Sequence, residues 1–221
     1  AILMCKECFV AITKVQAPKA DVLIGRTCNN HFAVVRNVHI EDGAQILDMC
    51  ASPGGKSIGA YLNVSEYGNC TITARDKTKA KAAAAKENIK RLGIQDITAE
   101  VKDACEYYED DFEKYDVVIA DVPCSGLGVI SKKPDINMHF KRSGIKELLE
   151  IQKKIIDNAV KYLKSGGKLI YSTCTFNTEE NEDNVEYILK NNDMKLDFSK
   201  QYLPTEEIHM DGFFIAIFTK E

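Results

Sequence analysis

The sequence predicts a doubly wound α/β fold, a mostly parallel sheet with helices on both faces, and three observations support this. Short apolar runs alternate with helical stretches from residue 44 onward. The first run ends in a glycine turn, Ala51-Ser-Pro-Gly-Gly-Lys-Ser57. Acidic residues then recur at or just beyond run ends, at Asp76, Asp103 and Asp121.

Residues 1–40 show no strong period, are interrupted by Pro18 and Gly25, and read as a partial N-terminal element or the remnant of a preceding region; residues 41–221 read as the main domain. A strand over 45–50 feeds the glycine turn, and a helix follows over 57–64. A second strand over 70–75 is closed by Asp76, and the alanine-rich stretch 79–92 is a helix stopped by Gly93. Residues 97–101 form a third strand. The fourth, over 115–121, has a continuous apolar centre suited to a sheet covered on both faces. The glycine-, proline- and base-rich segment 123–143 is long enough to be functional. Leu148, Leu149, Ile151, Ile155, Ile156 and Ala159 give a helix over 145–163, with Gly166-Gly167 as its stop. A fifth strand over 168–172, a helix over 180–189 and a late strand over 213–218, expected at a sheet edge, complete the pattern.

Bulk properties narrow the function. The chain has 221 residues, 45% hydrophobic and 28% charged, as in an ordinary globular domain. Its formal charge of −4 gives no global attraction to nucleic acid, which leaves phosphate contact to a local basic strip. No run reaches the length of a membrane span and the first residues lack the features of a secretory signal, so an intracellular location is expected. The eight cysteines are scattered in a chain too large to need disulfide stapling, so reduced thiols are expected. Cys5 and Cys8 have the gap of half a zinc site, but no second close pair follows, and no metal is expected.

Ligands of such sheets bind beyond the carboxyl ends of the central strands, where the strand order reverses. Gly54 and Gly55 let the chain pass close to a ligand, and the following helix directs free N–H groups at a carboxylate or phosphate. Asp76 stands about twenty residues after the turn, where a second strand delivers a carboxylate to a ribose diol. Ser52-Pro53-Gly54-Gly55 is not the dinucleotide fingerprint, and Gly54-Gly55-Lys56-Ser57 lacks the upstream frame of a phosphate-binding loop. A nucleoside-shaped site is indicated; the spacing alone does not choose the cofactor.

Cys124 follows the fourth strand and Cys174 the fifth, so neighbouring strands would direct both thiols into one crevice. A thiol there suits one demanding reaction. C5 of cytosine is too poor a nucleophile to attack a sulfonium methyl, whereas thiolate addition at C6 makes the ring enamine-like and carries electron density to C5. A free thiol is only about 3% ionised at pH 7, and full ionisation costs roughly 2 kcal/mol, which nearby positive charge reduces. Asp121 is the nearest carboxyl group to support addition from the N3 side of the ring. Lys132, Lys133, Lys141 and Arg142 flank Pro134-Asp135 as candidate RNA phosphate contacts.

At these residues the chain resembles the RNA cytosine-C5 methyltransferases, the bacterial Sun/Fmu and eukaryotic NOL1/NOP2 family. The resemblance runs from about Ile46 to Phe218. It rests on Leu47-Asp-Met-Cys-Ala-Ser-Pro-Gly-Gly-Lys56, Asn88 with Arg91-Leu-Gly93, Asp121-Val-Pro-Cys-Ser-Gly126, Tyr171-Ser-Thr-Cys174 with Glu179-Glu-Asn-Glu182, and Asp211-Gly-Phe-Phe-Ile-Ala216. Residues 128–132 and 209–212 look closest to the nucleolar NOP2-like branch. The resemblance implies a class I Rossmann-like, seven-stranded sheet with an antiparallel edge strand, and S-adenosyl-L-methionine as cofactor. It implies Cys174 as nucleophile, Cys124 as the thiol that assists release, and Asp121 beside them. Cofactor contacts are implied at Cys50, Ala51, Pro53, Gly54, Gly55, Lys56, Asp76, Lys81, Asp103 and Asp121, with Asp76 on the ribose and Asp103 near the adenine. The implied partner is RNA, ribosomal or transfer. The implied location is nucleolar or nuclear for the NOP2-like branch and cytoplasmic for a bacterial protein. The family's RNA-contacting front region has no clear counterpart before residue 41, so a missing N-terminal segment or assembly partners are expected. The alternative is a non-catalytic RNA-binding or ribosome-assembly factor that retains the fold.

Overall fold

Strand periodicity decides how this chain layers. In the computed structural model, which describes residues 38–65, 68–132, 142–203 and 211–221, successive residues of each central strand enter two separate cores. Ile46, Ile72, Val117, Ile119 and Ile170 face one side, and Leu47, Val118, Ala120, Leu169 and Tyr171 the other. Each side is covered by helices, so burial leaves no polar positions in β1 (Ala44–Asp48) beyond Gln45 and Asp48.

The remaining elements are α1 (Gly55–Val64), β2 (Cys70–Asp76), α2 (Lys79–Arg91), β3 (Ile97–Val101), β4 (Tyr115–Asp121), α3 (Arg142–Tyr162), β5 (Leu163–Thr173), α4 (Glu182–Asn191), β6 (Met194–Tyr202) and β7 (Phe213–Lys220). The sheet has seven strands in the order β3-β2-β1-β4-β5-β7-β6. β1 to β5 are parallel, while β7 runs antiparallel to β5 and β6. The order reverses between β1 and β4. This is the expected doubly wound class, and the crevice at the reversal lies beyond Asp48 and Asp121.

Local chemistry places the helices. Thr78 caps α2 by accepting the Lys81 N–H at 3.3 Å, and the helix ends at Leu92 before Gly93. Ile58 and Ala60 of α1 and Ala85 and Ile89 of α2 pack on the first core, Ile155, Ile156 and Ala159 of α3 on the second. Truncating a buried side chain such as Leu47 to alanine would cost about 2–5 kcal/mol.

Three expectations need correction. Gly166-Gly167 does not follow a helix end: α3 stops at Tyr162, and both glycines lie inside β5 where its pairing with β4 slips register. β7 is not an edge strand, because β6 covers it. β6 itself was not anticipated. Its Met194 and Leu196 pack on the second core, and after a register slip Phe198 and Tyr202 pack on the first. The Cys5 and Cys8 reading and the boundary proposed near residue 40 fall on, or at the margin of, residues outside the described set. No helix among the described residues is long and apolar enough to cross a membrane.

Candidate active site

The ends of β1, β2 and β4 converge on the glycine turn. Gly54 has φ +101°, a left-handed conformation that a side chain disfavours, and its N–H closes the turn on Ala51 O at 2.5 Å. Two side chains brace the turn from outside: Asn88 Nδ2 donates to Pro53 O at 2.9 Å, and Asp76 Oδ2 accepts the Ser52 N–H at 3.2 Å. A small crevice opens beside it, lined by Asp48, Cys50, Ala51, Ser52, Pro53, Gly55, Lys56 and Asp121.

The charged residues of the crevice are arranged in pairs with one exception. Lys56, nearly buried, donates to Asp121 Oδ2 at 2.5 Å, and Ser172 Oγ donates to Asp121 Oδ1 at 2.8 Å. Asp76 is buried and paired with Lys81 at 3.5 Å. Asp103 accepts the Cys105 N–H at 3.0 Å and meets Lys77 at 2.8 Å; burial pushes its carboxyl up, but the Lys77 and Cys105 bonds outweigh this and lower it. The exception is Asp48. It is fully buried, Ser57 Oγ donates to its Oδ2 at 2.6 Å, and its Oδ1 has no hydrogen-bond partner. Burial raises its pKa from 3.8 to about 6, against the Ser57 bond and the Lys56 charge. Cys50 is pushed well up by burial and then by the charges of Asp48, Asp121 and Asp76, so it stays a neutral thiol.

The expected meeting of the two thiols occurs. Cys124 Sγ and Cys174 Sγ lie 3.1 Å apart, both half-buried and neither in a disulfide, and the Cys174 N–H points at Cys124 Sγ at 3.3 Å. The Cys174 bond, then burial and the Cys174 charge, push the Cys124 thiol well up. Asp121 sits at the end of the strand leading to Cys124, and its Ser172 contact joins it to the strand leading to Cys174. Asp121 therefore lines the crevice and ties together the two strands that lead to the thiol pair.

The loop after Cys124 is sewn to both neighbours. Gly128 N donates to Cys174 O at 3.0 Å and Gly212 N to Gly128 O at 2.8 Å; a Cβ on Gly128 would stand 2.2 Å from Gly212 O, so only glycine fits. Lys132 is on the surface, paired with Asp211 at 2.7 Å. Arg142 opens α3, while Lys133, Lys141, His209 and Met210 lie outside the described residues.

With this geometry in place, the comparisons identify the lineage. Residues 35–219 match the family described as 16S rRNA methyltransferase RsmB/F. The chain belongs to this family. Among curated relatives of the RsmB/F family, the ribosomal RNA small subunit methyltransferase B of Proteus mirabilis (strain HI4320) is 36% identical over 185 residues, 82% of this chain and 42% of that protein. A probable ribosomal RNA small subunit methyltransferase B of Bacillus subtilis (strain 168) is 33% identical, over 85% of this chain and 46% of its own length. The chain thus spans less than half the length of these relatives. Among solved structures, that of NSun6 from Pyrococcus horikoshii with SFG has a TM-score of 0.76 at 31% identity, covering 86% of this chain and 51% of that one. A methyltransferase homolog protein from the same organism gives 0.71 at 26%, over 87% and 66%. Fold and family together indicate a Rossmann-like domain of the S-adenosylmethionine-binding methyltransferase type.

Sequence reading missed four residues of this RsmB/F site. Asp48 was read as part of an apolar run; a charged residue in a strand otherwise buried on both faces was the available signal. Ser57, its hydroxyl partner, was read only as a helix start. Glu180 and Asn181 were quoted as a motif without a role, because their partners lie at residues 125, 152, 173 and 175. No sequence spacing reveals such contacts.

Proposed function

We propose that this protein transfers a methyl group from S-adenosylmethionine to C5 of a cytosine in ribosomal RNA, with residues 41–221 as the catalytic unit. The observation behind this reading is the pair of thiols 3.1 Å apart, neither in a disulfide, carried on the loops that follow Asp121 and Ser172. The names of the relatives point to RNA of the small ribosomal subunit as the substrate class.

The residues of the crevice suit the cofactor. The orphaned Asp48 Oδ1 is an acceptor in need of a donor, which the ammonium group of the cofactor's amino acid end would provide. The turn from Pro53 to Lys56 presents backbone at close range, and Asp76 and Asp103 would take the ribose and adenine ends. Cys50 and Ala51 line the floor, and Lys81 steadies Asp76. When bound, the cofactor supplies an electrophilic methyl group on a sulfonium.

The chain's own groups do the rest. The resemblance gives attack to Cys174: with the Cys124 S–H donated across the sulfur contact, the Cys174 thiolate is stabilised and attacks C6. The new S–C6 bond moves the ring electrons to C5, which takes the methyl group. Loss of the C5 proton to a base returns the electron pair to the C5–C6 bond and expels the Cys174 thiolate, a release that Cys124 assists from its position in sulfur contact. Asp121, fixed by Lys56 and Ser172, faces the ring's polar edge in this arrangement. Lys132, Lys133, Lys141 and Arg142 would contact phosphates beside the site, Lys132 by exchanging Asp211 for the RNA.

Incubation of ribosomal RNA with methyl-labelled cofactor tests the reading. Label recovered in 5-methylcytidine is the expected result; label confined to another nucleoside contradicts the substrate.

A further inference from the structure

The two cysteine loops are not merely adjacent. A single two-residue step between them, Glu180-Asn181, grips one loop with each side chain. Glu180 is fully buried. Its Oε2 accepts the Ser125 N–H at 2.8 Å, one residue beyond Cys124, and Gln152 Nε2 at 3.0 Å; its Oε1 accepts Asn177 Nδ2 at 3.1 Å. Gln152 Nε2 also donates to Pro123 O at 2.9 Å, on the other side of Cys124. Asn181, also fully buried, accepts Thr173 Oγ1 at 2.6 Å and donates to Thr175 O at 3.1 Å, the residues on either side of Cys174. The step is itself anchored: Tyr171 Oη donates to Glu180 O at 2.6 Å, and Asn184 Nδ2 donates to Tyr171 Oη at 2.8 Å and to Gln152 Oε1 at 2.8 Å.

We infer that Glu180 and Asn181 are positioning residues that set the two sulfurs independently, Glu180 for the Cys124 arm and Asn181 for the Cys174 arm. The physical reason is the separation of their contacts. Among the described hydrogen bonds, the side chain of Glu180 touches Ser125, Gln152 and Asn177, while that of Asn181 touches Thr173, Thr175 and Gln201. A carboxyl group whose two oxygens receive three donors holds a backbone N–H more firmly than a neutral acceptor would. The arms also meet directly, at the two sulfurs, at the Cys174 N–H to Cys124 Sγ contact, at Gly128 N to Cys174 O and at Ser125 Oγ to Thr175 Oγ1, 2.9 Å, but each grip holds the backbone of one arm, so its loss displaces that arm's sulfur first.

The consequence for catalysis rests on the thiol roles proposed above, and the test separates the two ideas. With ribosomal RNA and cofactor, Cys124→Ala should accumulate a covalent protein–RNA species. Glu180→Ala should do the same, slowing release about tenfold, while Glu180→Gln, which keeps one acceptor for Ser125, returns release to within about threefold of the parent. Asn181→Ala should instead lower adduct formation about tenfold. In the Cys124→Ala background, Glu180→Ala should change adduct yield little, since the arm it positions has already lost its sulfur; an added loss of attack overturns the inference. Failure of Cys124→Ala itself to accumulate adduct overturns the thiol roles.

A second measurement needs neither RNA nor those roles. Iodoacetamide labelling read by peptide mass should rise about tenfold at Cys124 in Glu180→Ala and at Cys174 in Asn181→Ala, with the other cysteine little changed. An equal rise at both overturns the inference. Glu180→Asp, whose shorter carboxyl cannot reach Ser125 N, gives the same reading if the alanine variant fails to fold.

Discussion

Two aspartates of this protein are equally buried and differently used. Asp111, 1% exposed, receives Arg75, Lys102, Lys114 and the Tyr115 hydroxyl at the far side of the sheet from the glycine turn's helices. Burial pushes its pKa up, but Arg75 and the lysines outweigh this and hold it at about 2. Asp48, 0% exposed, has one hydroxyl partner and an orphaned oxygen, and burial carries it to about 6. The first is complete as it stands and closes the segment between β3 and β4. The second keeps a buried oxygen that no described group meets, the feature on which the proposed ammonium contact rests. An unmet buried acceptor in a crevice is a binding site by its chemistry, whereas a met one is part of the frame.

The contrast can be broken by substitution. Asp111→Ala leaves the buried Arg75 with only the half-exposed Glu100 and the Tyr115 hydroxyl and should cost about 3 kcal/mol in a denaturant titration; a loss below about 1 kcal/mol would erase the distinction. Asp48→Asn should act in the opposite direction on the free protein. An ionised Asp48 at neutral pH opposes folding by up to about 3 kcal/mol, so the amide should raise stability toward that figure. The same change should weaken S-adenosylhomocysteine binding about 10- to 100-fold by calorimetry, because the ammonium loses its charged acceptor.

Acid sharpens the contrast further. Asp48, with its folded pKa raised, favours the folded state most below pH 4 and loses that contribution as the pH rises to about 6. Asp111, with its folded pKa lowered, contributes above pH 4 and loses its contribution as the pH falls to about 2. Binding of a cation at Asp48 should therefore weaken as the pH falls below about 6, by at most about tenfold per pH unit, and Asp48→Asn should flatten that dependence. The smallest effect belongs to Lys77→Ala, a fully solvated partner of Asp103, whose melting temperature should stay within about 1 °C of the parent.

These differences also mark what sequence can reveal. β1, β2 and β4, the glycine turn, and the meeting of Cys124 and Cys174 were legible, because apolar runs, turn chemistry and strand order are local or nearly so. β6 was not, since a register slip breaks its apolar alternation and its lysine, aspartate, serine and glutamine resemble a loop in composition. Gly166-Gly167 misled because a glycine pair that usually ends a helix here permits a register slip inside β5. Asp48 and Asp111 look alike in sequence; their difference is made by partners 3 to 36 residues away. Glu180-Asn181 was visible as a motif, yet its two grips depend on where four other segments come to rest.

The most direct measurement is a map of the covalent link itself. With Cys124→Ala, ribosomal RNA and S-adenosylmethionine, digestion of protein and RNA followed by mass spectrometry should recover a methylated cytidine attached to the peptide containing Cys174. Attachment through Cys50 or any other residue, or turnover with no link at Cys174 at any stage, would contradict the proposed attack.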